Sequence, residues 1–125
     1  MKTLIDEAKK TIDQLFSKDK FQVGSAVKTK SGKIYTGISI NCQKMNLCAE
    51  WTAIGKAFSE GNNDIEISVA IRKKDDGSYE IYPPCALCRE LFITYCPNAE
   101  IIISENKKVK ASELLPHPWI KKVRK

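Results

Sequence analysis

The sequence predicts an α/β fold, a three-layer α/β/α sandwich built around a mixed sheet. Its elements run helix, hairpin, helix, strand, helix, strand. The two strand–helix–strand connections demand parallel strands with helices laid on the sheet, while the hairpin adds an antiparallel member. A chain of 125 residues, 42% of them hydrophobic, suits one domain over residues 1–125 with a single packed core and no disulfide support. No internal repeat or low-complexity tract interrupts the chain.

Each element has a local reason. Leu4, Ile5, Ala8, Ile12, Leu15 and Phe16 recur at the 3.6-residue period of one helix face. Thr3, with Asp6 three residues on, has the form of an N-terminal capping pair. Phe21–Thr29 and Lys33–Ile40 read as two strands about a tight turn at Ser31-Gly32, where Gly32 supplies the positive φ. Cys48–Ser59 has helical character and is ended by Gly61 and Asn62. Gly55 inside that helix costs ~1 kcal/mol against Ala, which points to close packing there. Ile65–Ile71 is a β-branched run and reads as a buried strand, followed by a turn at Asp75-Asp76-Gly77-Ser78. Pro83-Pro84 opens a helix that runs through Tyr95 and stops at Pro97. Glu100–Ser104 is a further strand, and Ala111–Leu115 allows one helical turn before Pro116 and Pro118.

Lys and Arg number 21 against 15 Asp and Glu, a net charge of +6. Spread over a small domain this is ordinary. Lys107, Lys108, Lys110 and the tail Lys121-Lys122-Val123-Arg124-Lys125 read as solvated charge, so nucleic acid is not the expected partner. No apolar run approaches the ~20 residues of a membrane-spanning helix. Asp6 and Glu7 stand where a signal peptide would be apolar. The expected location is the reducing cytoplasm.

The cysteines carry the chemistry. There are five, an odd number, and in a reducing setting clustered cysteines point to metal or catalysis rather than disulfides. Cys48 and Glu50 form C-x-E, and Pro84, Cys85 and Cys88 form P-C-x-x-C, each at the start of a predicted helix. Cys85 and Cys88 share one face of the first turn. A helix N-terminus favours the thiolates that a metal requires. Three thiolates around Zn²⁺ leave one tetrahedral position open, the mark of a catalytic site. Glu50 can then reach a water at that position without being tied up as a ligand. The surplus negative charge needs counterweights, and two helix N-termini and Arg89, next to Cys88, are available.

Other readings stand beside this one. Cys42, six residues before Cys48, could close a four-sulfur shell, giving a non-catalytic zinc-stabilised module that binds RNA or protein through the basic tail. That would leave Glu50 without purpose. A redox dithiol at Cys85 and Cys88 would leave Cys48 unexplained. Cys96 reads as a buried thiol, and His117, in a Pro-flanked segment, as structural or exposed rather than a ligand.

At these residues the chain resembles the cytidine deaminase superfamily, over nearly its whole length. Phe21–Val27 and Ser31–Gly37 resemble the family's first hairpin, Cys48-Ala49-Glu50 and Pro84–Glu90 its two zinc motifs, and Glu113–Pro116 its C-terminal signature. The resemblance implies a mixed five-stranded sheet and one Zn²⁺ per subunit held by Cys48, Cys85 and Cys88. It also implies hydrolytic deamination of a cytosine-type ring, with Glu50 carrying protons from water to the ring and the leaving ammonia. Nucleoside-specific members bind ribose hydroxyls with an Asn and a Glu two apart; the aligned positions here are Ser39 and Asn41. The lost carboxylate, the short segment from Gly37 to Cys48, and Ser25 in place of the usual Ala resemble blasticidin-S deaminases. The implied substrate is therefore a cytosine-containing small molecule of blasticidin-S or cytidine type, with salvage of cytidine or deoxycytidine as the alternative. Phe21 and Trp119 are implied as substrate-lining aromatics, Trp119 in its own or a neighbouring subunit's site, against the alternatives of core filler and chain-end anchor. Trp51 stands where homotetrameric members often carry Arg and is expected at an interface or in the core. A homo-oligomer is implied, a tetramer before a dimer.

Overall fold

The structure, a computed structural model, describes residues 1–17 and 21–118. Helix α1 (Lys2–Leu15) leads into the hairpin β1 (Val23–Thr29) and β2 (Ile34–Ile38). A two-residue pair follows, β3 (Ile40–Asn41) and β4 (Asn46–Leu47), and then α2 (Ala49–Ser59). The rest is β5 (Ile65–Lys73), β6 (Tyr79–Ile81), α3 (Ala86–Tyr95), β7 (Glu100–Ser104) and β8 (Lys107–Lys110), closed by a 3₁₀ turn at Ala111–Glu113.

Five strands lie side by side in the order β2-β1-β5-β7-β8. The sixth, β6, pairs with β5 at Ile71–Lys73, beyond the stretch where β7 pairs with Ile67 and Ser68. Strand β1 is antiparallel to both β2 and β5, and β5 is parallel to β7. Strands β2 and β5, on either side of α2, therefore run the same way, as do β5 and β7, between which the short return strand β6 and then α3 intervene.

The sheet separates two packed layers. On one face, Leu4 and Ala8 of α1 meet Ala26, Ile67, Val69, Ile71 and Ile102. On the other, Ala53, Ile54 and Ala57 of α2 and Leu91 and Phe92 of α3 meet Val27, Tyr35 and Ile101. Neighbours Ala26 and Val27, like Ile101 and Ile102, fall on opposite faces, as the two-residue period of a strand requires. Gly37 lets α2 approach β2 closely: a Cβ there would stand 2.7 Å from the Ala49 carbonyl oxygen and nearer still to Thr52 Oγ1. The Thr52 hydroxyl lies 3.0 Å from the Ile38 carbonyl oxygen and 2.8 Å from that of Ala49, fastening the first turn of α2 to β2.

Several expectations are corrected. Helix α1 begins at Lys2 with Met1 as its N-cap and no side-chain capping bond, because Thr3 already lies inside the first turn. Gly55 is exposed, with nothing within 4 Å of a Cβ placed on it, so packing does not require glycine there. Pro83-Pro84 precede α3 rather than open it; the helix starts at Ala86, with Cys85 as its extended N-cap. Strand β1 starts at Val23, while Phe21 forms an isolated bridge with Ser17. Lys107–Lys110 is an edge strand, with charges that blunt an open sheet edge. No helix among the described residues is long and apolar enough to cross a membrane.

Candidate functional site

Two helix starts converge on the cysteines. Cys48 is the N-cap of α2 and Cys85 the N-cap of α3, both in extended backbone. Cys88 follows one turn into α3 and is fully buried. The Cys48 and Cys85 sulfurs are 3.5 Å apart, as are those of Cys85 and Cys88. All three Sγ atoms lie within 4.8 Å of one another, and they are the grouping among the described residues that could hold a metal ion. Cys42 is exposed in the β3–β4 turn and stands outside this cluster. His117 is exposed too, and Cys96 is buried.

Three thiols so placed resist ionising together. Burial, the neighbouring thiol of Cys85 and the Glu50 carboxylate push Cys48 up to about 11. Burial and the charges of Glu50 and Cys48 raise Cys88 further. Cys85 alone is lowered: desolvation is the largest influence and opposes this, but the Cys88 and Leu87 backbone N–H groups and the adjacent thiols prevail. A soft divalent cation removes this repulsion, and a set of three sulfurs fits Zn²⁺ while leaving a tetrahedral position open.

Glu50 sits in the first turn of α2 with 6% of its surface exposed. Desolvation raises its carboxyl above the ordinary range, partly offset by its own backbone N–H and the Cys88 thiol. It borders a cavity of about 190 Å³ together with Cys48 and Cys85. Gln22, Val23 and Ala70 form another part of the wall, Tyr82 and Pro83 another, and Ser39, Asn41, Asn46 and Leu47 the last.

The remaining residues singled out in the sequence divide. Ser39 and Asn41 line the cavity. The Ser39 Oγ is used by the backbone, accepting from Val23 N at 3.1 Å and Gln22 N at 3.4 Å. Ser25 and Phe21 are not among the wall residues. Ser25 is fully buried two residues deeper along β1, its hydroxyl donating to the Val69 carbonyl at 2.8 Å. Phe21 is held in its bridge to Ser17 while Gln22 and Val23 reach the cavity. Arg89 donates from Nε to Pro84 O at 2.8 Å and from Nη1 to Leu114 O at 2.9 Å, bracing the loop that carries Cys85. Trp51 packs half-buried against the α2–α3 side of the core. Trp119 and the basic tail lie outside the described residues.

Gln22, Asn46, Ala70, Tyr82 and Pro83 were not legible as wall residues. Tyr82 and Pro83 precede the Pro84-Cys85 pair, and that adjacency was the available signal; Ala70 and Asn46 meet the site only through strand pairing.

With this geometry in place, comparison with known proteins identifies the chain's relatives. Residues 1–105 match the family model of the cytidine and deoxycytidylate deaminase zinc-binding region. A blasticidin-S deaminase of Bacillus cereus is 36% identical over 122 residues, covering 90% of this chain and 87% of that protein. A cytidine deaminase of Halalkalibacterium halodurans is 36% identical over 104 residues, covering 78% and 76%. The crystal structure of cytidine deaminase from Mycobacterium leprae superposes with a TM-score of 0.78 at 23% identity, covering 92% of this chain and 96% of that one. The cytidine deaminase from Bacillus anthracis superposes at 0.80 with 22% identity, covering 94% and 88%. At that identity the two structures establish the fold; the family model and the sequence relatives establish kinship. The chain belongs to the cytidine and deoxycytidylate deaminase family and is a zinc-dependent deaminase.

Proposed function

We propose that the protein hydrolytically deaminates a cytosine-containing small molecule of blasticidin-S or cytidine type, releasing ammonia. The observation that carries this reading is a buried carboxylate, Glu50, bordering the same small cavity as two of three clustered thiols. Cys48, Cys85 and Cys88 would hold one Zn²⁺, which when bound supplies Lewis-acid activation of water. Glu50 accepts one proton from the water that attacks C4 and passes it to ring N3, then carries that water's second proton to the amino group as the C4–N bond breaks and C4=O forms, so ammonia leaves. Arg89 acts as a brace for the Cys85 loop and sets a positive charge one residue from Cys88.

The kinship with the Bacillus cereus protein supports a blasticidin-S-type substrate, and that with the Halalkalibacterium protein supports cytidine or deoxycytidine. The cavity wall supplies neutral amides from Asn41 and Asn46 where a nucleoside-specific site would carry a carboxylate, which favours the first. Residues 1–125 act as one cytoplasmic deaminase domain in a homo-oligomer, a tetramer before a dimer. Trp51 is only half-buried on α2, and its exposed part supports that helix lying at a subunit contact. Zinc-loaded protein incubated separately with blasticidin S, cytidine and deoxycytidine should release ammonia from at least one; none from any refutes the reading.

A further inference from the structure

Resting on that reading, we propose that Asn46 is a specificity-determining residue, and that with Asn41 it clamps the polar substituent on N1 of the cytosine ring. The family resemblance pairs Asn41 with Ser39, two residues earlier, between β2 and β3. The structure offers another partner. Ser39 has its hydroxyl oxygen engaged by the Val23 and Gln22 N–H groups and so holds the start of β1. Asn46 faces Asn41 directly across the β3–β4 pair, and both line the cavity that contains Glu50. Directly opposed residues bring their Cβ atoms within ~5 Å, close enough for both amides to grip one group. Neither side-chain amide has a hydrogen-bond partner among the described residues, whereas the Ser39 hydroxyl oxygen accepts two.

The chemistry of the pair sets the ligand class. Each primary amide offers an acceptor oxygen and two N–H donors and carries no charge. No Lys or Arg occurs among the described residues of the cavity wall. Such a wall suits hydroxyl or amide groups on the substituent rather than a phosphate, which would call for charged donors. The ring itself lies against Glu50 and the thiols, so Asn46 governs binding of the substituent and leaves the reacting carbon alone.

The test uses zinc-loaded protein and whichever of blasticidin S, cytidine and deoxycytidine it turns over. The control is 1-methylcytosine, the same ring stripped of its polar substituent, measured as a competitive inhibitor. Asn46→Ala should raise the substrate KM about tenfold, the loss of one hydrogen bond, with kcat within about twofold. The Ki of 1-methylcytosine should stay unchanged. Asn46→Leu, which keeps the shape and removes the polar atoms, should give the same split, and so should Asn41→Ala. Ser39→Ala should lower the melting temperature and leave the ratio of KM to Ki as in the wild type. An unchanged KM in both Asn46 variants, or an equal rise in KM and Ki, overturns the inference while the deaminase reading stands. Ammonia from none of blasticidin S, cytidine and deoxycytidine with the wild type overturns the proposed function, and this inference with it.

Discussion

Substituting Gly37 by alanine should damage the active site from beneath. The added Cβ would stand 2.7 Å from the Ala49 carbonyl oxygen, against the 3.4 Å of ordinary contact, and would overlap Thr52 Oγ1 and Ala53 N more severely. Two of these three atoms are backbone of α2, so no rotamer change relieves the clash. The helix must lift from β2 by about 1 Å, a displacement close packing resists. Overpacking of this kind costs about 3 kcal/mol. The displaced turn carries Cys48 at its N-cap and Glu50 just inside, so the shift is transmitted to the thiol cluster. Misplacement by about 1 Å lowers turnover about a hundredfold. The matched control lies on the same helix: Gly55 has open space where its Cβ would go, so Gly55→Ala should stabilise by about 1 kcal/mol. Urea denaturation of the two variants beside the wild type, with zinc content and ammonia release on the same samples, measures every part. A Gly37→Ala protein with wild-type stability and turnover would refute the argument that α2 is seated by that glycine.

Other perturbations have equally definite outcomes. Glu50→Gln should cut ammonia release about a thousandfold while zinc stoichiometry by metal analysis stays at one per chain, because the carboxylate moves protons and does not ligate. Cys42→Ser should leave the zinc X-ray absorption spectrum with the same sulfur shell, whereas Cys85→Ser should remove one sulfur; loss of a sulfur in the first variant would place Cys42 in the shell. Brief treatment of folded, zinc-loaded protein with a thiol reagent should modify exposed Cys42 and spare Cys96, whose thiol burial pushes up to about 11; mass mapping of the peptides reads the order. Asp13 is held below the ordinary carboxylate range, first by the Lys73 ammonium 2.7 Å away and also by the Tyr79 hydroxyl. Its folded-state value lies under the unfolded one, so the contact stabilises fully above about pH 4 and is lost as pH falls through the folded value. The melting-temperature gap between wild type and Asp13→Asn should therefore stay constant from about pH 7 to 5 and close below about pH 4.

Local periodicity and punctuation were enough for the elements that bury a regular face. Leu4, Ala8 and Ile12 mark α1, and the β-branched runs at Ile65–Ile71 and Ile101–Ile103 mark β5 and β7, because burial of one face imposes its period on the residues themselves. Elements decided by pairing alone left no such trace. Lys107–Lys110 became a strand because β7 offered an open edge, and Tyr79–Ile81 because the turn at Gly77 folded it back onto β5. Gly55 and Gly37 show the same division: within its own helix or strand each glycine is merely permitted, and only the neighbouring layer makes Gly37 necessary and Gly55 dispensable.

The amino-acid sequence by itself determined the zinc chemistry, since C-x-E and P-C-x-x-C each place their donors within one helical turn, where spacing along the chain is spacing in space. It left open what faces those donors. Tertiary structure alone brought two helix starts, 37 residues apart in the chain, to sulfur contact. It also turned Ser39 to the backbone, buried Ser25, and set Asn46 across from Asn41. A cavity wall is assembled from strands and loops that meet through packing and register, and those distances are written in no single segment.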